Sequence, residues 1–451
     1  MKARSVYICQ NCGSRSPKWM GRCPSCGEWN TMIEEVEEEA PAEVSFPASD
    51  PVLYKDIREL ASPRLRVEIE DFNKVLGGGL VLGSLVLIGG EPGIGKSTLL
   101  LQVSKSLAQG GETVLYVSGE ESLEQIKLRG DRLGVRDGAL YLLSETALER
   151  IVAQAERLKP KALVVDSVQT VFSGKLASSP GTISQVREVA NQVFRFAKKN
   201  QIPAFLVGHI TKEGSLAGPK SLEHMVDVVL LFEGERDHSH RVLRALRNRF
   251  GPVSELAVFE MTAAGLQAIV NPSAFFLRER PREEPGSAVV CTIKGTRPLL
   301  AEIQALVSST LFTGNPRRMS IGLDHYRTSM LLALVEKKVG FSFAGEDIYL
   351  NVAGGMTIDE PAADLGVVMA VVSSLKNAPL AKDMAFFGEV GLSGEIRSVG
   401  QPLARIKEAA SLGFGTVLLP AGNLEALHKG DLPGIQCLGV RTVKEALQYV
   451  F

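Results

Sequence analysis

The chain has 451 residues, of which 45% are hydrophobic and 22% charged, a composition typical of a globular protein with two or three domains. Its formal net charge of −1 excludes a general basic field, so any binding of nucleic acid must come from local patches. The most apolar run, "LGVVMAVVSSL", is too short for a membrane span and the N-terminus lacks a secretory signal, so we expect a cytoplasmic protein.

The first predicted element is a small metal-binding segment over residues 1–30. Its four cysteines have the spacing C-x2-C-x10-C-x2-C and are Cys9, Cys12, Cys23 and Cys26. Each C-x2-C pair with its following glycine can aim two thiolates at one point, and two such pairs complete the tetrahedral site that suits zinc. A pair of disulfides is the alternative, which a cytosolic chain disfavours. The acidic, proline-containing residues 31–55 then predict a solvated linker.

The stretch "LGSLVLIGGEPGIGKSTLLLQVSKSLA" has the order apolar strand, glycine-rich loop and amphipathic helix, and it contains the pattern G-x-x-x-x-G-K-[ST]. In such a loop the backbone N–H groups wrap a polyphosphate and the helix N-terminus adds its dipole. We expect Lys96 to reach the β and γ phosphates of ATP and Ser97 to bind Mg²⁺. The predicted nucleotide-binding residues are Gly90, Glu91, Pro92, Gly93, Ile94, Gly95, Lys96, Ser97 and Thr98.

Three later strands end in polar residues that complete this site. "KALVVDSVQT" leads to Asp166, the expected second Mg²⁺ contact, and "IPAFLVGHITKEG" leads to His209, either a γ-phosphate sensor or a packed residue. "ETVLYVSGEES" ends in Glu120 and Glu121. A carboxylate there can polarise the attacking water, and we prefer Glu120 for this catalytic role. The alternative for either glutamate is an acid that caps the next helix.

Strands alternate with helices through residues 80–232, which predicts an α/β fold whose mostly parallel sheet is covered on both faces. ATP should bind at the carboxyl ends of the strands. Farther along, "ALRNRFGPV" brings Arg247 and Arg249 together with no acidic residue inside the segment. Without further information this segment could also be a solvated basic turn.

Taken together, the residues resemble the bacterial RadA (Sms) family of recombination and DNA-repair ATPases, which have a RecA-like core. The resemblance covers essentially the whole chain and depends on the four-cysteine element before the core, the C-terminal third and "RNRFG". The last matches the family's K-N-R-F-G signature except that Arg247 replaces lysine. It implies a RecA-like ATPase over residues 56–272 and a hexameric ring that loads on single-stranded DNA. It further implies branch migration of recombination intermediates, that is branched DNA, alongside the RecA recombinase.

The resemblance also suggests roles for basic residues. In RecA-like rings a neighbouring subunit supplies cations to the γ-phosphate, so Arg247 and Arg249 would be catalytic residues acting in trans. Two glycine- and serine-rich loops, "FSGKLASSPGTISQ" and "TKEGSLAGPKSLEH", would contact DNA. The candidate phosphate contacts in these loops are Lys175, Lys212 and Lys220.

From about residue 287 the chain resembles the proteolytic domain of Lon proteases, an α+β domain that we assign to residues 273–451. The segments that carry the Lon serine and lysine have Asp364 and Leu403 at those positions. Lys407 lies one helical turn on, but without a nucleophile it cannot restore the dyad. We therefore predict a ring-forming scaffold without proteolytic activity, whose basic residues can add DNA contacts. These basic residues include Arg317, Arg318 and Arg327.

Three functions stay open at this point. A DNA-stimulated ATP motor leads. An ATP-dependent protease or chaperone-like machine is disfavoured by Asp364 and Leu403. A nucleotide-switched assembly protein of the circadian-clock ATPase type shares the paired glutamates, but the zinc element and "RNRFG" disfavour it.

Overall fold

The computed structural model describes residues 4–9, 14–37, 53, 64–136, 138–209, 221–234, 240–253, 255–281, 283–310, 316–428, 430, 432 and 434–451. The chain divides into two compact units, Met1–Ala268 and Ile269–Phe451. The domain boundaries predicted near residues 30, 55 and 272 remain predictions. No helix in the described ranges is long and apolar enough to cross a membrane.

The N-terminal segment forms a small antiparallel sheet around the cysteines. Its strands are β1 (Arg4–Cys9), β2 (Arg15–Ser16) and β3 (Met32–Glu37), with β1 in the centre. The buried apolar cluster consists of Cys9, Cys23 and Met32, with Tyr7 packed against it. A cluster of this size cannot stabilise a fold by apolar burial alone, so a bound metal has to supply much of the stability.

The rest of the first unit surrounds a nine-stranded sheet. Its strands, with the short pair β4–β5 that precedes them, are β4 (Arg64–Leu65), β5 (Leu80–Val81), β6 (Leu85–Gly90), β7 (Val114–Ser118), β8 (Leu140–Ser144), β9 (Ala162–Asp166), β10 (Ala204–His209), β11 (Val228–Glu233), β12 (His240–Asn248), β13 (Leu256–Thr262) and β14 (Gly265–Ala268). The helices are α1 (Glu70–Val75), α2 (Lys96–Gln109), α3 (Leu123–Arg132), α4 (Leu148–Leu158), α5 (Ile183–Asn200) and α6 (Ser221–Met225).

The strand order is β14-β13-β12-β11-β6-β10-β9-β7-β8. The six strands from β11 to β8 are mutually parallel, while β12, β13 and β14 return antiparallel. The predicted α/β fold with a mostly parallel sheet is therefore confirmed.

The sheet is buried on both faces, as its continuous apolar strands predict. All six residues of β6 are buried, which is typical of a central parallel strand. One face packs on a core that includes Phe72 and Leu99, and the other on a core that includes Val189 and Phe196.

Several parallel strands end at one side of this sheet, which we call the phosphate edge. It is defined by the last residues of β6, β7, β9 and β10, which are Gly90, Ser118, Asp166 and His209. The register pairs His209 with Gly90 and Ser118 with Asp166, so these four residues are neighbours across the sheet.

The second unit contains a seven-stranded mixed sheet in the order β17-β18-β16-β15-β19-β22-β23. The strands of the unit are β15 (Ser287–Lys294), β16 (Arg297–Ser309), β17 (Arg318–Ile321), β18 (Glu346–Val352), β19 (Met384–Phe386), β20 (Glu389–Val390), β21 (Ile396–Arg397), β22 (Thr416–Pro420) and β23 (Gln436–Val440). The helices are α7 (Pro272–Phe276), α8 (His325–Leu334) continued by a π-helical turn (Val335–Val339), α9 (Asp364–Lys376), α10 (Pro402–Ser411), α11 (Ala421–Glu425) and α12 (Val443–Val450). The first ten residues of α9 are buried, which explains its apolar sequence without a membrane.

Candidate nucleotide site and zinc centre

The glycine-rich loop joins β6 to α2 at the phosphate edge. Gly95, directly before α2, has a φ of 115°, in the left-handed region that side chains disfavour. A Cβ atom on Gly90 would lie 2.6 Å from the carbonyl oxygen of Phe232 in the adjacent β11. Both glycines of the motif are therefore required by the backbone, and the turn presents the N-terminus of α2 to an anion.

Lys96 follows this loop as the first residue of α2 and is only 4% exposed. Its Nζ donates hydrogen bonds to the carbonyl oxygens of Gly90 at 2.7 Å and Glu91 at 2.9 Å. Burial lowers the pKa of Lys96 to about 8, although the carboxylates of Asp166, Glu120 and Glu91 act in the opposite direction. The amine is thus preorganised in a buried site, where a polyphosphate would supply strong opposite charge.

The other predicted loop residues differ in their exposure. Glu91, Pro92 and Gly93 are exposed, and Ile94 is buried. Ser97 and Thr98 are the second and third residues of α2 and are partly buried.

Asp166, the predicted Mg²⁺ contact, is buried at the end of β9. The hydroxyl of Tyr116 in the neighbouring strand β7 donates to its Oδ2 at 2.7 Å. Burial and the Asp166 carboxylate raise the pKa of Tyr116 well above its usual value, so the hydroxyl stays a donor. Our sequence analysis missed Tyr116. The available signal was a tyrosine inside an aliphatic buried strand, where its hydroxyl needs a partner.

The two glutamates after β7 have different surroundings. The hydroxyl of Ser167, the residue after Asp166, donates to Glu120 Oε1. Glu121 instead forms an ion pair with Arg129 of α3. Neither glutamate caps α3. Its N-cap is Ser122, which forms a reciprocal capping box with the side chain and backbone of Gln125.

His209 is the last residue of β10 and pairs with Gly90 of β6 in the sheet register. Its side chain is not among the described parts of the chain. Of the three lysines predicted to contact DNA, Lys175 is exposed in the loop after β9. Lys212 and Lys220 lie outside the described residues.

The "RNRFG" segment lies at the opposite edge of the sheet from the phosphate loop. Asn248 at the end of β12 pairs with Val228 at the start of β11, whereas Phe232 near the end of β11 pairs with Gly90. The four steps along β11 separate the two positions by about 13 Å, at about 3.3 Å per residue. Arg249 follows Asn248. It therefore lies at the opposite end of the strands from the phosphate loop of the same subunit.

Arg249 is exposed but is not isolated. Its Nη1 lies 3.2 Å from Oδ1 of Asp227, and its backbone N–H donates to the Asp227 carbonyl oxygen at 3.1 Å. Asp227 is buried and also accepts hydrogen bonds from Leu85 N at 3.0 Å and pairs with Lys198 Nζ at 3.0 Å. Asp227 therefore anchors Arg249, and Arg247 is partly buried.

The remaining residues of the segment have structural roles. Gly251 packs directly on Gly77, because a Cβ atom on Gly251 would lie 2.7 Å from the Cα atom of Gly77. The guanidinium of Arg64 donates to the carbonyl oxygens of Gly77 at 2.6 Å and Phe250 at 2.9 Å. These contacts hold the turn after the arginines in one conformation.

Three of the four predicted zinc ligands converge. The Sγ atoms of Cys9, Cys23 and Cys26 lie within 4.8 Å of one another, and those of Cys9 and Cys26 are 3.6 Å apart. Zinc–sulfur bonds of about 2.3 Å in a tetrahedral site predict sulfur–sulfur distances of about 3.8 Å, so the three thiols fit zinc. Cys12 lies outside the described residues, and its role as the fourth ligand stays a prediction.

Asp364, which the sequence analysis aligned with the Lon serine, forms a partly buried ion pair. Asp364 at the start of α9 accepts hydrogen bonds from Arg327 Nε at 2.7 Å and from the backbone N–H of Val390 at 3.0 Å. Burial raises the pKa of Asp364 in spite of its pairing with Arg327. In α10, Leu403 is partly buried and Lys407 is exposed.

The buried cation of α10 is Arg405, which sequence analysis did not single out. It contacts both carboxylate oxygens of Glu360, at 2.7 and 2.8 Å. The second unit therefore contains two arginine–carboxylate pairs, Arg327–Asp364 and Arg405–Glu360. Arg327 is committed to Asp364, and Arg318 donates to the carbonyl oxygens of Glu346 and Phe343, so neither is a simple surface cation.

Three family matches cover separate parts of the chain. Residues 7–34 match the family described as "Rubredoxin metal binding domain", and residues 51–215 match an "AAA domain". Residues 326–423 match "Subunit ChlI of Mg-chelatase". The first two agree with the geometry above: the N-terminal cysteines form a zinc site, and the core is an ATP-binding domain of the P-loop type.

Solved structures give weaker similarities. The RadB recombinase aligns with 44% of this chain and 97% of its own, at 21% identity and a TM-score of 0.37. A KaiC-like protein from Pyrococcus horikoshii aligns with 46% of this chain and 99% of its own, at 20% identity and a TM-score of 0.39. These values do not distinguish a recombinase from a clock-type ATPase.

Full-length relatives decide the family. DNA repair protein RadA of Bacillus subtilis is 51% identical over 99% of this chain and 98% of its own length. RadA of Streptococcus pyogenes serotype M1 is 51% identical over 100% of this chain, and RadA of Listeria monocytogenes 47% identical over 99%. The chain belongs to the RadA family of DNA repair proteins, with a zinc site, a RecA-like ATPase core and a Lon-like C-terminal domain.

Proposed function

We propose that this protein is a DNA-dependent ATPase motor in homologous recombination and DNA repair. It would act as a hexameric ring on single-stranded DNA and drive branch migration of branched intermediates alongside the RecA recombinase. One observation carries the proposal: Lys96 lies at the phosphate edge, and Arg249 lies at the opposite edge of the same sheet. Such a protomer offers a nucleotide site on one side and arginines on the other, as a head-to-tail ring requires.

Each residue at the phosphate edge has a proposed part in ATP hydrolysis. Lys96 neutralises charge on the β and γ phosphates, and Ser97 and Asp166 hold Mg²⁺, which supplies further neutralisation when it is bound with ATP. Glu120 orients the attacking water, and His209 senses the γ-phosphate. The ion pair between Glu121 and Arg129 supports the assignment of this role to Glu120, because it holds the Glu121 carboxylate against α3.

In the ring, Arg247 and Arg249 would contact the γ-phosphate bound to the adjacent subunit. Arginines of this kind contribute about 10³- to 10⁵-fold to turnover in other NTPases. The pair between Arg249 and Asp227 is compatible with this role, because Asp227 keeps Lys198 and the Leu85 N–H when the guanidinium moves. The planar guanidinium of Arg247 also offers a fork of donors where a lysine would offer one point charge.

DNA would lie along the loops that follow β9 and β10. Lys175, Lys212 and Lys220 are the proposed contacts, and they would bind the phosphate backbone without reading the sequence. The near-zero net charge of the chain means that this binding depends on such local cations.

The other two functions are less well supported. A Lon-like protease needs a serine and a lysine, whereas Asp364 is paired with Arg327 and Leu403 has no amine. A nucleotide-switched assembly protein would explain the ATPase core but not the zinc site.

ATP turnover, measured with and without single-stranded DNA, tests the proposal. We expect DNA to stimulate turnover several-fold, Lys96→Ala to abolish it, and casein to remain intact in parallel reactions. Turnover that does not respond to DNA would contradict the motor, and casein degradation that requires ATP would support the protease.

A further inference from the structure

A buried serine links the proposed catalytic carboxylate to the proposed DNA loop. Ser167 follows Asp166 directly and is fully buried. Its hydroxyl donates to Glu120 Oε1, so one of the two carboxylate oxygens is held in place. The backbone of the next residue, Val168, is anchored by a hydrogen bond of 2.9 Å to the Val207 carbonyl oxygen of β10.

The backbone around Ser167 packs tightly on the segment that follows β7 and carries Glu120. The Thr170 hydroxyl donates to the Ser167 carbonyl oxygen at 2.9 Å. Gly119 N donates to the Asp166 carbonyl oxygen at 2.8 Å, and a Cβ atom on Gly119 would lie only 2.2 Å from Thr170 Oγ1. Residues 167–170 are therefore packed against and hydrogen-bonded to residues 119–120.

The loop that begins three residues later is shaped by one buried side chain. Gln185 of α5 is fully buried, and its Oε1 accepts a hydrogen bond from Ser173 N at 2.8 Å. Its Nε2 donates to the carbonyl oxygens of Ser173 at 3.2 Å, Leu176 at 3.2 Å and Ser178 at 2.9 Å. The backbone on both sides of Lys175 is thus tied to one amide.

We infer that Ser167 is a positioning residue for Glu120 and that it couples this carboxylate to the loop carrying Lys175. The inference rests on the ATPase and DNA roles proposed above. Residues 167–172 lead directly into residues 173–178, so a phosphate backbone that displaces the loop would pull on the backbone next to Ser167. The Ser167 hydroxyl transmits this displacement to the Glu120 carboxylate, which changes how the carboxylate orients water.

The test is the ATPase of Ser167→Ala, with and without single-stranded DNA. We expect the DNA-stimulated kcat to fall at least about tenfold, since small misplacements of a catalytic group cost about that much or more. The KM for ATP and the affinity for a non-hydrolysable analogue should stay within about twofold, because the phosphate loop is untouched. Stimulation by DNA should be lost.

Ser104→Ala is the matched control. Ser104 is also a fully buried serine of the ATPase core, in α2, but its hydroxyl has no hydrogen-bond partner in the part of the chain that the structure describes. Its replacement should leave kcat and DNA stimulation unchanged. A loss of turnover in both variants would show sensitivity to any buried serine and would overturn the inference.

A double-mutant cycle separates positioning from a general structural effect. In a Glu120→Gln background, Ser167→Ala should cause no further loss of turnover. An equal further loss there, or a single variant with kcat within about twofold of wild type, would overturn the inference. A fall in kcat with DNA stimulation retained would overturn the coupling to the loop. If wild type is not stimulated by DNA, or Glu120→Gln turns over ATP normally, the proposed function itself fails.

Discussion

The environment of Lys96 gives nucleotide affinity a pH dependence whose sign and size follow from the structure. In the protein without nucleotide, burial lowers the pKa of Lys96 to about 8. Bound phosphates place negative charge next to the amine and raise this pKa. Nucleotide binding therefore takes up a proton wherever the free amine is neutral, which means above about pH 8.

The magnitude is set by the fraction of amine that is already charged. With a pKa of about 8, Lys96 is about 90% protonated at about pH 7 and about 10% protonated at about pH 9. The dissociation constant for ATP should rise about tenfold across this interval, which corresponds to about 1.4 kcal/mol. Proton uptake should rise from about 0.1 to about 0.9 per nucleotide. A phosphate group titrates near about pH 6, below this interval.

Isothermal titration calorimetry with a non-hydrolysable ATP analogue, in two buffers of different ionisation enthalpy, measures affinity and proton uptake together. Lys96→Arg is the matched control, because a guanidinium stays charged to above about pH 12 and its binding should be independent of pH here. An affinity that is constant from about pH 7 to about pH 9, without proton uptake, would refute the reasoning. The same pH dependence in Lys96→Arg would assign the titration to another group.

Three further predictions concern the carboxylates of the nucleotide site and the zinc centre. The Glu120→Gln variant should bind ATP normally, and its turnover in steady-state assays should be about 10²- to 10⁴-fold lower. Glu121→Gln should have little effect on turnover. A large loss in Glu121→Gln and a small one in Glu120→Gln would make Glu121 the catalytic group. Elemental analysis should find about one zinc per chain, lost in Cys9→Ser without a change in ATP binding, and zinc-free reduced wild type would contradict the metal site. Tyr116→Phe removes the hydroxyl donor of a buried carboxylate and should lower the free energy of unfolding in urea by about 1–3 kcal/mol. The exposed Tyr141 is its control, and equal losses in Tyr141→Phe would show that the buried hydrogen bond contributes nothing measurable.

Local patterns were enough to predict the phosphate loop and the sheet around it. The loop is specified by short-range requirements, since Gly95 must adopt a positive φ and Gly90 must accept a close backbone contact. The continuous apolar run of β6 likewise indicates a strand buried on both faces. Such features depend on residues near one another in the chain.

Contacts between distant segments could not be predicted in the same way. The hydrogen bonds from Tyr116 to Asp166 and from Ser167 to Glu120 exist because β7 lies next to β9 in the sheet. The alternation of strands and helices in the sequence does not predict which strands are neighbours in the sheet. Arg405 was not predicted as a buried residue, because the sequence of α10 is that of an ordinary amphipathic helix. Its burial depends on the carboxylate of Glu360, which is distant in the chain.

The position of "RNRFG" was predicted only in outline. The sequence analysis placed it only farther along the chain than the alternating strands and helices of residues 80–232. The antiparallel return of β12 is what carries Arg249 to the end of the sheet opposite the phosphate edge. The anchoring carboxylate, Asp227, lies 22 residues earlier in the chain, and no local pattern links it to the arginine.

The central claim is that Arg249 serves the nucleotide of the adjacent subunit. Covalently linked dimers test it most directly. In a ring built from them the two copies alternate, so the linkage determines which phosphate loop faces which arginine. In the first dimer, one copy carries Lys96→Ala and the other Arg249→Ala. In the second, a single copy carries both substitutions and the other is wild type.

Action in trans predicts that the first dimer hydrolyses ATP, since each intact phosphate loop there faces an intact arginine. It predicts that the second is nearly inactive, because its intact loops face the substituted arginine. The measurement is the DNA-stimulated ATPase rate of both dimers, with ring assembly verified by light scattering. A higher rate in the first dimer is the predicted result, and equal rates or a higher rate in the second would contradict it.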